Sequence, residues 1–284
     1  MTHPSHPDDS ANQNGASRSE KAVLDQLDQM LPVDDLEEEI SENGIKVRKK
    51  GIYILPNLFT TASLFSGFFA IVSSVDGNYE NAAIAIFIAM VLDMLDGRIA
   101  RLTNTQSKFG AEYDSLADMV SFGIAPAVSI FIWSLQALGK LGWAITFIYI
   151  AAAALRLARF NTQTETADKN YFTGLASPSA AAMLAGSMWV FNEHYGSVQY
   201  MSSGLLWLIG FVTLVSALLM VSNVRYHSFK SLNLKERVPF VVILLAVIVF
   251  AVVMIETSVA LLTIFGLYVL SGPVFTLWSF KEKK

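Results

Sequence analysis

The chain has 284 residues, of which 53% are hydrophobic and only 15% charged, with a formal net charge of -4 and a mean hydropathy of +0.46. A soluble domain carries about 25% charged residues, so this composition excludes an ordinary water-soluble enzyme. The acidic balance gives no footing for nucleic acid, and the absence of Cys removes disulfides, thiolate metal sites and a cysteine nucleophile together.

Residues 1–50 are rich in Ser, Asn, Asp, Glu and His and poor in aromatics, and they hold no apolar run of signal-peptide type. That composition predicts a disordered, acidic cytoplasmic tail. Within it Val23, Leu24, Leu27, Met30 and Leu31 follow a helical spacing, and Glu37, Glu38, Glu39 and Glu42 come next, which argues against attraction to anionic lipid there. The tail closes on a basic juxtamembrane end at Lys46, Arg48, Lys49 and Lys50. His3 and His6 are an isolated pair without a metal role.

From Gly51 onward, apolar segments fall near 52–75, 82–102, 109–136, 141–160, 174–191, 203–222, 238–255 and 258–280. Their lengths suit helices crossing a bilayer core about 30 Å thick. The expected fold class is therefore all-α, a polytopic transmembrane helical bundle of about eight spans. The connections alternate in charge. Arg98, Arg101 and Lys108 occupy one turn, Arg156, Arg159 and Lys169 another, and Arg225, Lys230, Lys235 and Arg237 a third, while 192–203 has no Lys or Arg. Basic loops mark the cytoplasmic side, which places both termini there and makes the number of spans even.

Membrane-edge carboxylates are expensive and point to function. Four of them cluster here, Asp93 and Asp96 on one predicted helix and Asp114 and Asp118 on the next. Asp93, Gly97, Ala100 and Arg101 share one flank of the first helix, and Gly110, Asp114 and Asp118 recur every four residues along the second. Four acids held that close repel one another and call for protons or cations. An all-oxygen set without His or Cys suits a hard ion, Mg²⁺ or Mn²⁺. Small residues let a ligand approach the backbone, and Arg101 offers a fork for phosphate oxygens, so the group reads as a pyrophosphate site. Packing of small residues and positive-inside anchoring are the competing explanations for Gly97, Ala100 and Arg101 taken singly. An ion-coupled transporter is the competing explanation for the acids.

The string D-x-x-D-G-x-x-A-R-x(8)-G-x-x-x-D-x-x-x-D, from Asp93 to Asp118, resembles the signature of the CDP-alcohol phosphatidyltransferase family at every fixed position. PNLFTTASLFSGFFAI at Pro56 to Ile71, EYDSLADMVSFGIAP at Glu112 to Pro126, LRLARFN at Leu155 to Asn161 and YFTGLASPSAAA at Tyr171 to Ala182 are similar to segments of that family's bacterial, serine-using branch. The resemblance implies an enzyme of the bacterial inner membrane, its active site facing the cytoplasm. It would move a phosphatidyl group from CDP-diacylglycerol to L-serine and release CMP; a sister activity toward glycerol 3-phosphate or an inositol phosphate is the alternative. It further implies a two-metal centre of Mg²⁺ or Mn²⁺ on Asp93, Asp96, Asp114 and Asp118, with Asp118 also the general base, and a CDP-lipid site lined by Gly97, Ala100, Arg101 and Gly110. Membrane lipid surrounds such an enzyme, and a homodimer is implied.

On this view 1–50 is the tail, 51–195 the catalytic membrane core and 196–284 a set of further transmembrane helices. Arg156, Arg159, Asn161 and Glu112 are the candidates for binding the acceptor, since an arginine matches a carboxylate and a glutamate an ammonium group; for the two arginines, anchoring at the membrane edge is the equal alternative. Thr60, Thr61, Ser63 and Ser66 either line the cavity or only bond carbonyls of their own helix, and own-helix bonding is the expectation for each taken singly. Tyr171, Gly174, Ser177 and Pro178 open the next span either as a cavity lip or as an ordinary helix cap.

Overall fold

A computed structural model describes residues 37–42, 45–50, 54–102, 107–163, 171–195, 202–227 and 254–282, together with four residues between 244 and 251. The pattern at 23–31, the pair His3 and His6, and most of the 238–255 segment lie outside the described residues.

The bundle begins with α1 (Ile54–Val75) and α2 (Tyr79–Leu102), an antiparallel pair turned at Gly77, whose φ of 78° suits a residue without a Cβ. Thr60, Ser63, Gly67, Ala70 and Ser74 recur at helical spacing on α1 and are all buried. Ala82, Ala85, Ile86 and Ala89 are the buried residues of α2 at matching spacing. Small side chains on both surfaces bring the axes close, which is how helices gain packing energy where lipid offers no hydrophobic drive. The hydroxyls then reach across instead of inward: Ser63 Oγ donates to the Ala89 carbonyl at 3.0 Å and Ser66 Oγ to the Ala85 carbonyl at 2.7 Å. The expectation of own-helix bonding therefore fails for both serines, because the α2 backbone is near enough to compete.

Next comes α3 (Lys108–Asp118), capped at its start by Ser107, whose Oγ accepts from the Gly110 amide at 2.7 Å. It runs without a break through a π-helical segment, Met119–Ile124, into α4 (Ala125–Trp133). The widened turn sits against α1, where Ser121 Oγ donates to the Ser63 carbonyl at 3.0 Å. A Cβ on Gly67 would lie 2.8 Å from Ser121 Cα, so only glycine allows this approach. After a short 3₁₀ turn, Leu135–Leu138, come α5 (Lys140–Gln163), α6 (Ser177–Tyr195), α7 (Ser203–Val221) and α8 (Thr257–Glu282). Phe122, Trp133, Tyr149, Leu175, Leu184 and Met188 fill the centre. Phe65, Trp207, Phe211 and Leu267 are more than half exposed on the outside, an arrangement that suits lipid and not water.

Five helices are long and apolar enough to cross a membrane, at Pro56–Val75, Phe109–Trp133, Lys140–Thr162, Ser203–Val221 and Thr257–Thr276. The expected total of eight is not reached among the described residues. Helices α2 and α6 coincide with two more of the expected segments, but Glu80, Asp93, Asp96, Arg98 and Arg101 interrupt the apolar character of α2, and α6 is built largely of Ala, Ser and Gly at its start.

The fold is nearly all helical, with two small departures from the all-α expectation. In the stretch expected to be unstructured tail, β1 (Glu37–Glu42) pairs antiparallel with β2 (Ile45–Lys50). Its register sets Glu37, Glu38 and Glu39 opposite Lys50, Lys49 and Arg48, and Ile40 opposite Val47. The second ladder joins β3 (Tyr171–Thr173) to β4 (Arg225–His227) and ties the start of α6 to the end of α7. Gly174 turns the chain from β3 toward α6 at a φ of 81°, with its amide on the Val224 carbonyl at 2.8 Å.

Candidate active site

The four aspartates come together at one end of the bundle. Asp93 and Asp96 stand on the last turns of α2, Asp114 and Asp118 on α3, and the two helices meet there because α1 lies against both. One carboxylate oxygen from each of Asp93, Asp114 and Asp118 lies within 4.8 Å of the others. The carboxyls of Asp93 and Asp118 touch at hydrogen-bond range, as do those of Asp96 and Asp114. Asp96 is buried and fastened from α1, accepting from Thr60 Oγ1 at 2.8 Å. A knot of carboxyls this tight needs positive charge or protons between its members, and its composition, oxygen throughout, is that of a hard divalent ion's shell.

The neighbours divide into an open side and a closed side. At Gly97 a Cβ would meet nothing nearer than Arg101 Nη2 at 3.9 Å, so the α2 flank below Asp93 is a floor with free space above it, bordered by the exposed Arg101 and the half-buried Ala100. Gly110 differs, because a Cβ there would sit 2.9 Å from Ser107 Oγ and 3.4 Å from Asn57 Oδ1. Its want of a side chain lets α3 start against α1 and fits a packing role.

Arg156 comes from the far end of α5. Its Nη1 donates to Ser177 Oγ at 2.6 Å, and the guanidinium lies in the electrostatic field of Asp118, Asp93, Tyr149 and Tyr268. Arg159, three residues on, turns away: Nη2 donates to Asn223 Oδ1 at 2.8 Å and Nη1 reaches the Val221 carbonyl at 3.5 Å, at the end of α7. Asn161 and Ser115 exchange contacts at 3.0 and 3.2 Å, one residue from Asp114. Glu112 is exposed, and its place two residues before Asp114 puts it on another side of α3. Of the residues expected to bind an acceptor, the fold thus brings Arg156 to the acids and Asn161 beside them, and leaves Arg159 and Glu112 outside.

Thr60 meets both of the alternatives open to it. It does lie 3.2 Å from the Pro56 carbonyl, yet it also reaches Asp96. Thr61 similarly contacts both the Asn57 carbonyl at 2.7 Å and the Tyr113 hydroxyl at 2.9 Å. Ser177, read as lip or cap, is the partner of Arg156. The signal that would have found Thr60 is its place on the small-residue face of α1, which points at α2 and hence at its acids.

A family model described as CDP-alcohol phosphatidyltransferase matches residues 53–216, a stretch that includes all four aspartates, Thr60, Arg156 and Ser177. The chain is 36% identical over 228 residues to the CDP-diacylglycerol-serine O-phosphatidyltransferase of Helicobacter pylori, covering 78% of this chain and 91% of that one. It is 36% identical over 152 residues to the Saccharomyces cerevisiae enzyme of the same name, covering 46% of this chain and 52% of that one. Similarity also extends to the archaetidylserine synthase of Methanothermobacter thermautotrophicus, 32% identical over 174 residues, with 61% and 69% of the two chains covered.

Proposed function

The chain belongs to the CDP-alcohol phosphatidyltransferase family, a family of transferases, and we propose that it transfers the phosphatidyl group of CDP-diacylglycerol to the hydroxyl of L-serine, yielding phosphatidylserine and CMP. The observation that carries this reading is the convergence of Asp93, Asp114 and Asp118 within 4.8 Å beside an open glycine floor. The serine acceptor is supported by the names of the similar proteins from bacteria and yeast.

The donor set fits Mg²⁺ or Mn²⁺, which Asp93, Asp96 and Asp114 would hold with Asp118 at the edge; such ions would supply positive charge to offset that of the diphosphate and of the departing CMP. Asp118 takes the proton of the serine hydroxyl as its oxygen bonds to the lipid-bearing phosphorus and the bond to the CMP oxygen breaks in line. Gly97 and Ala100 keep the floor low enough for the diphosphate, and Arg101 flanks it with a fixed positive charge. Gly110 borders the same region from the start of α3. Arg156, anchored to Ser177, faces the serine carboxylate across the acids, where its remaining N–H groups make a bidentate fork. No covalent enzyme intermediate is needed.

The site shares its end of the bundle with Arg98, Arg101, Arg156 and Arg159, which supports a cytoplasmic orientation in the bacterial inner membrane by the positive-inside rule. Eight spans with both termini inside, and a homodimer, complete the proposed arrangement. The test is CMP release from CDP-diacylglycerol by purified protein with Mg²⁺ or Mn²⁺, offered serine, glycerol 3-phosphate or an inositol phosphate in turn. Release with serine alone is expected. Release with another alcohol and none with serine would overturn the serine assignment while leaving the family reaction in place; solute flux without CMP release would point to transport.

A further inference from the structure

Asp118 is the last residue of α3, and the π-helical turn opens directly behind it, at Met119. Part of the reason for that turn lies in Pro126, which stands four residues beyond Phe122 and has no N–H. The Phe122 carbonyl therefore lacks the donor that regular winding would bring to it, at a residue that is wholly buried. A buried carbonyl left without a donor is costly. The Tyr149 hydroxyl of α5 supplies the bond at 3.2 Å.

The turn is braced on two sides. On one, Tyr149 is itself buried, and a Cβ on Gly123 would lie 3.3 Å from Ala153 Cβ, one turn beyond Tyr149. The missing side chain thus brings α5 near enough for the hydroxyl to reach the Phe122 carbonyl. On the other side, Ser121 Oγ donates to the Ser63 carbonyl at 3.0 Å, and Ser63 Oγ donates in turn to the Ala89 carbonyl at 3.0 Å, one helical turn before Asp93. The segment behind Asp118 is therefore tied through α1 to the segment ahead of Asp93, and through Tyr149 to α5. Since Ile130 and Trp133 anchor α4 in the core, the width of this turn decides how far the end of α3 is rotated toward Asp93.

Tyr149 bonds a backbone carbonyl and takes no part in the proposed proton transfer, yet it holds the turn on which the proton acceptor is mounted. We propose that Tyr149 is a positioning residue for Asp118, its hydroxyl standing in for the amide that Pro126 lacks and so holding the wide turn that aims the Asp118 carboxyl at the acceptor's hydroxyl. The inference rests on the reading of Asp118 as the general base. It assigns the aim of that base to a side chain on α5, a helix that carries no part of the Asp93 to Asp118 signature.

The test is Tyr149→Phe in the full-length protein, reconstituted in vesicles of phosphatidylethanolamine and phosphatidylglycerol and assayed by CMP release with serine. The ring stays and only the hydroxyl is lost. A general base contributes about 10²- to 10⁴-fold, and misdirecting it forfeits part of that, so kcat should fall about tenfold. The KM values for serine and CDP-diacylglycerol and the half-saturating metal concentration should stay within twofold, because Asp93, Asp96 and the glycine floor sit on α2. Ser121→Ala, which loosens the same turn from the α1 side, should reproduce that pattern. Ser74→Ala is the control: it removes an equally buried hydroxyl bond, to Ser129 Oγ at 2.7 Å at the other end of α1, and should lower the thermal midpoint as Tyr149→Phe does while kcat stays within twofold. An unaltered kcat in Tyr149→Phe overturns the proposal. So does a joint change of kcat, both KM values and the metal response, which would mark a general loosening of the bundle. Should Tyr149→Phe not fold, Ser121→Ala decides by the same two criteria. Failure of the wider reading looks different: near-normal turnover in Asp118→Asn removes the base itself, and the proposal with it, whatever Tyr149→Phe does.

Discussion

Thr60→Val isolates one bond at the candidate metal centre. Valine keeps the shape of threonine at a position that is 4% exposed, and removes the hydroxyl that donates to Asp96 Oδ2 at 2.8 Å. A hydrogen bond to a charged group contributes about 1.5–3 kcal/mol, and loss of a partner that aims a metal ligand costs roughly 10- to 100-fold in metal affinity. Asp96 stays buried on the same helix turn and loses one bond only, so the lower end applies, about tenfold. CMP release measured against rising Mg²⁺ or Mn²⁺ should show the half-saturating concentration increased by that factor while the plateau rate stays within twofold. Thr60→Ser, which retains the donor, should restore the original curve. A titration that does not move, or a plateau that falls without a shift, would refute the reasoning, because the bond would then not be acting through the ligand.

Asp118→Asn should abolish turnover while CDP-diacylglycerol still binds, as expected for a lost base; near-normal turnover by CMP release would rule out that role. Asp93→Asn should instead raise the metal requirement and weaken CDP-lipid binding together, read by titrating metal and lipid separately. Gly67→Ala puts a methyl group 2.8 Å from Ser121 Cα, a backbone atom that cannot swing aside; about 1–3 kcal/mol of overpacking should lower the thermal midpoint and disturb the π segment that follows Asp118. Unchanged stability would mean that α1 and the π segment separate freely.

The acid cluster was legible because its rule is local. Steps of three and four place Asp93 and Asp96, and then Asp114 and Asp118, on usable flanks of two helices, and a short connection returns the second helix beside the first. Membrane character was legible for the same kind of reason, apolar runs of the right length. Partner choice across helices was not. Arg156 and Arg159 are equivalent in the string LRLARFN, both basic and both near a helix end, yet one meets Ser177 and lies in the field of the acids while the other meets Asn223. The 100° turned between successive helical residues, taken three times, leaves them only 60° apart on α5, and which neighbour each finds depends on where α6 and α7 happen to lie. Ser63 and Ser66 show the same limit: an own-helix carbonyl is always available, and only the closeness of α2 makes a foreign one better. The paired strands 37–42 and 45–50 were hidden because composition averages over acids and bases that the register sets opposite one another.

The π segment Met119–Ile124 also says something about the tolerance of this chain to change. Its last bond, from the Ala125 amide to the Val120 carbonyl, spans five residues where a regular helix would span four. The helix thus contains one residue more than a straight path from Asp118 to Trp133 requires. Deleting one of those six residues would let the turn relax to ordinary winding with Asp118 and Trp133 still on their present faces, because the wide turn already absorbs the rotation of about 100° that a surplus residue would otherwise impose. Inserting a residue there has no such outlet: it would turn Trp133 and every side chain beyond it by about 100° relative to Asp114 and Asp118, so that the aspartates could stay beside Asp93 only if Trp133 left the core. A single-codon insertion within MVSFGI should therefore be far less tolerated than a single-codon deletion.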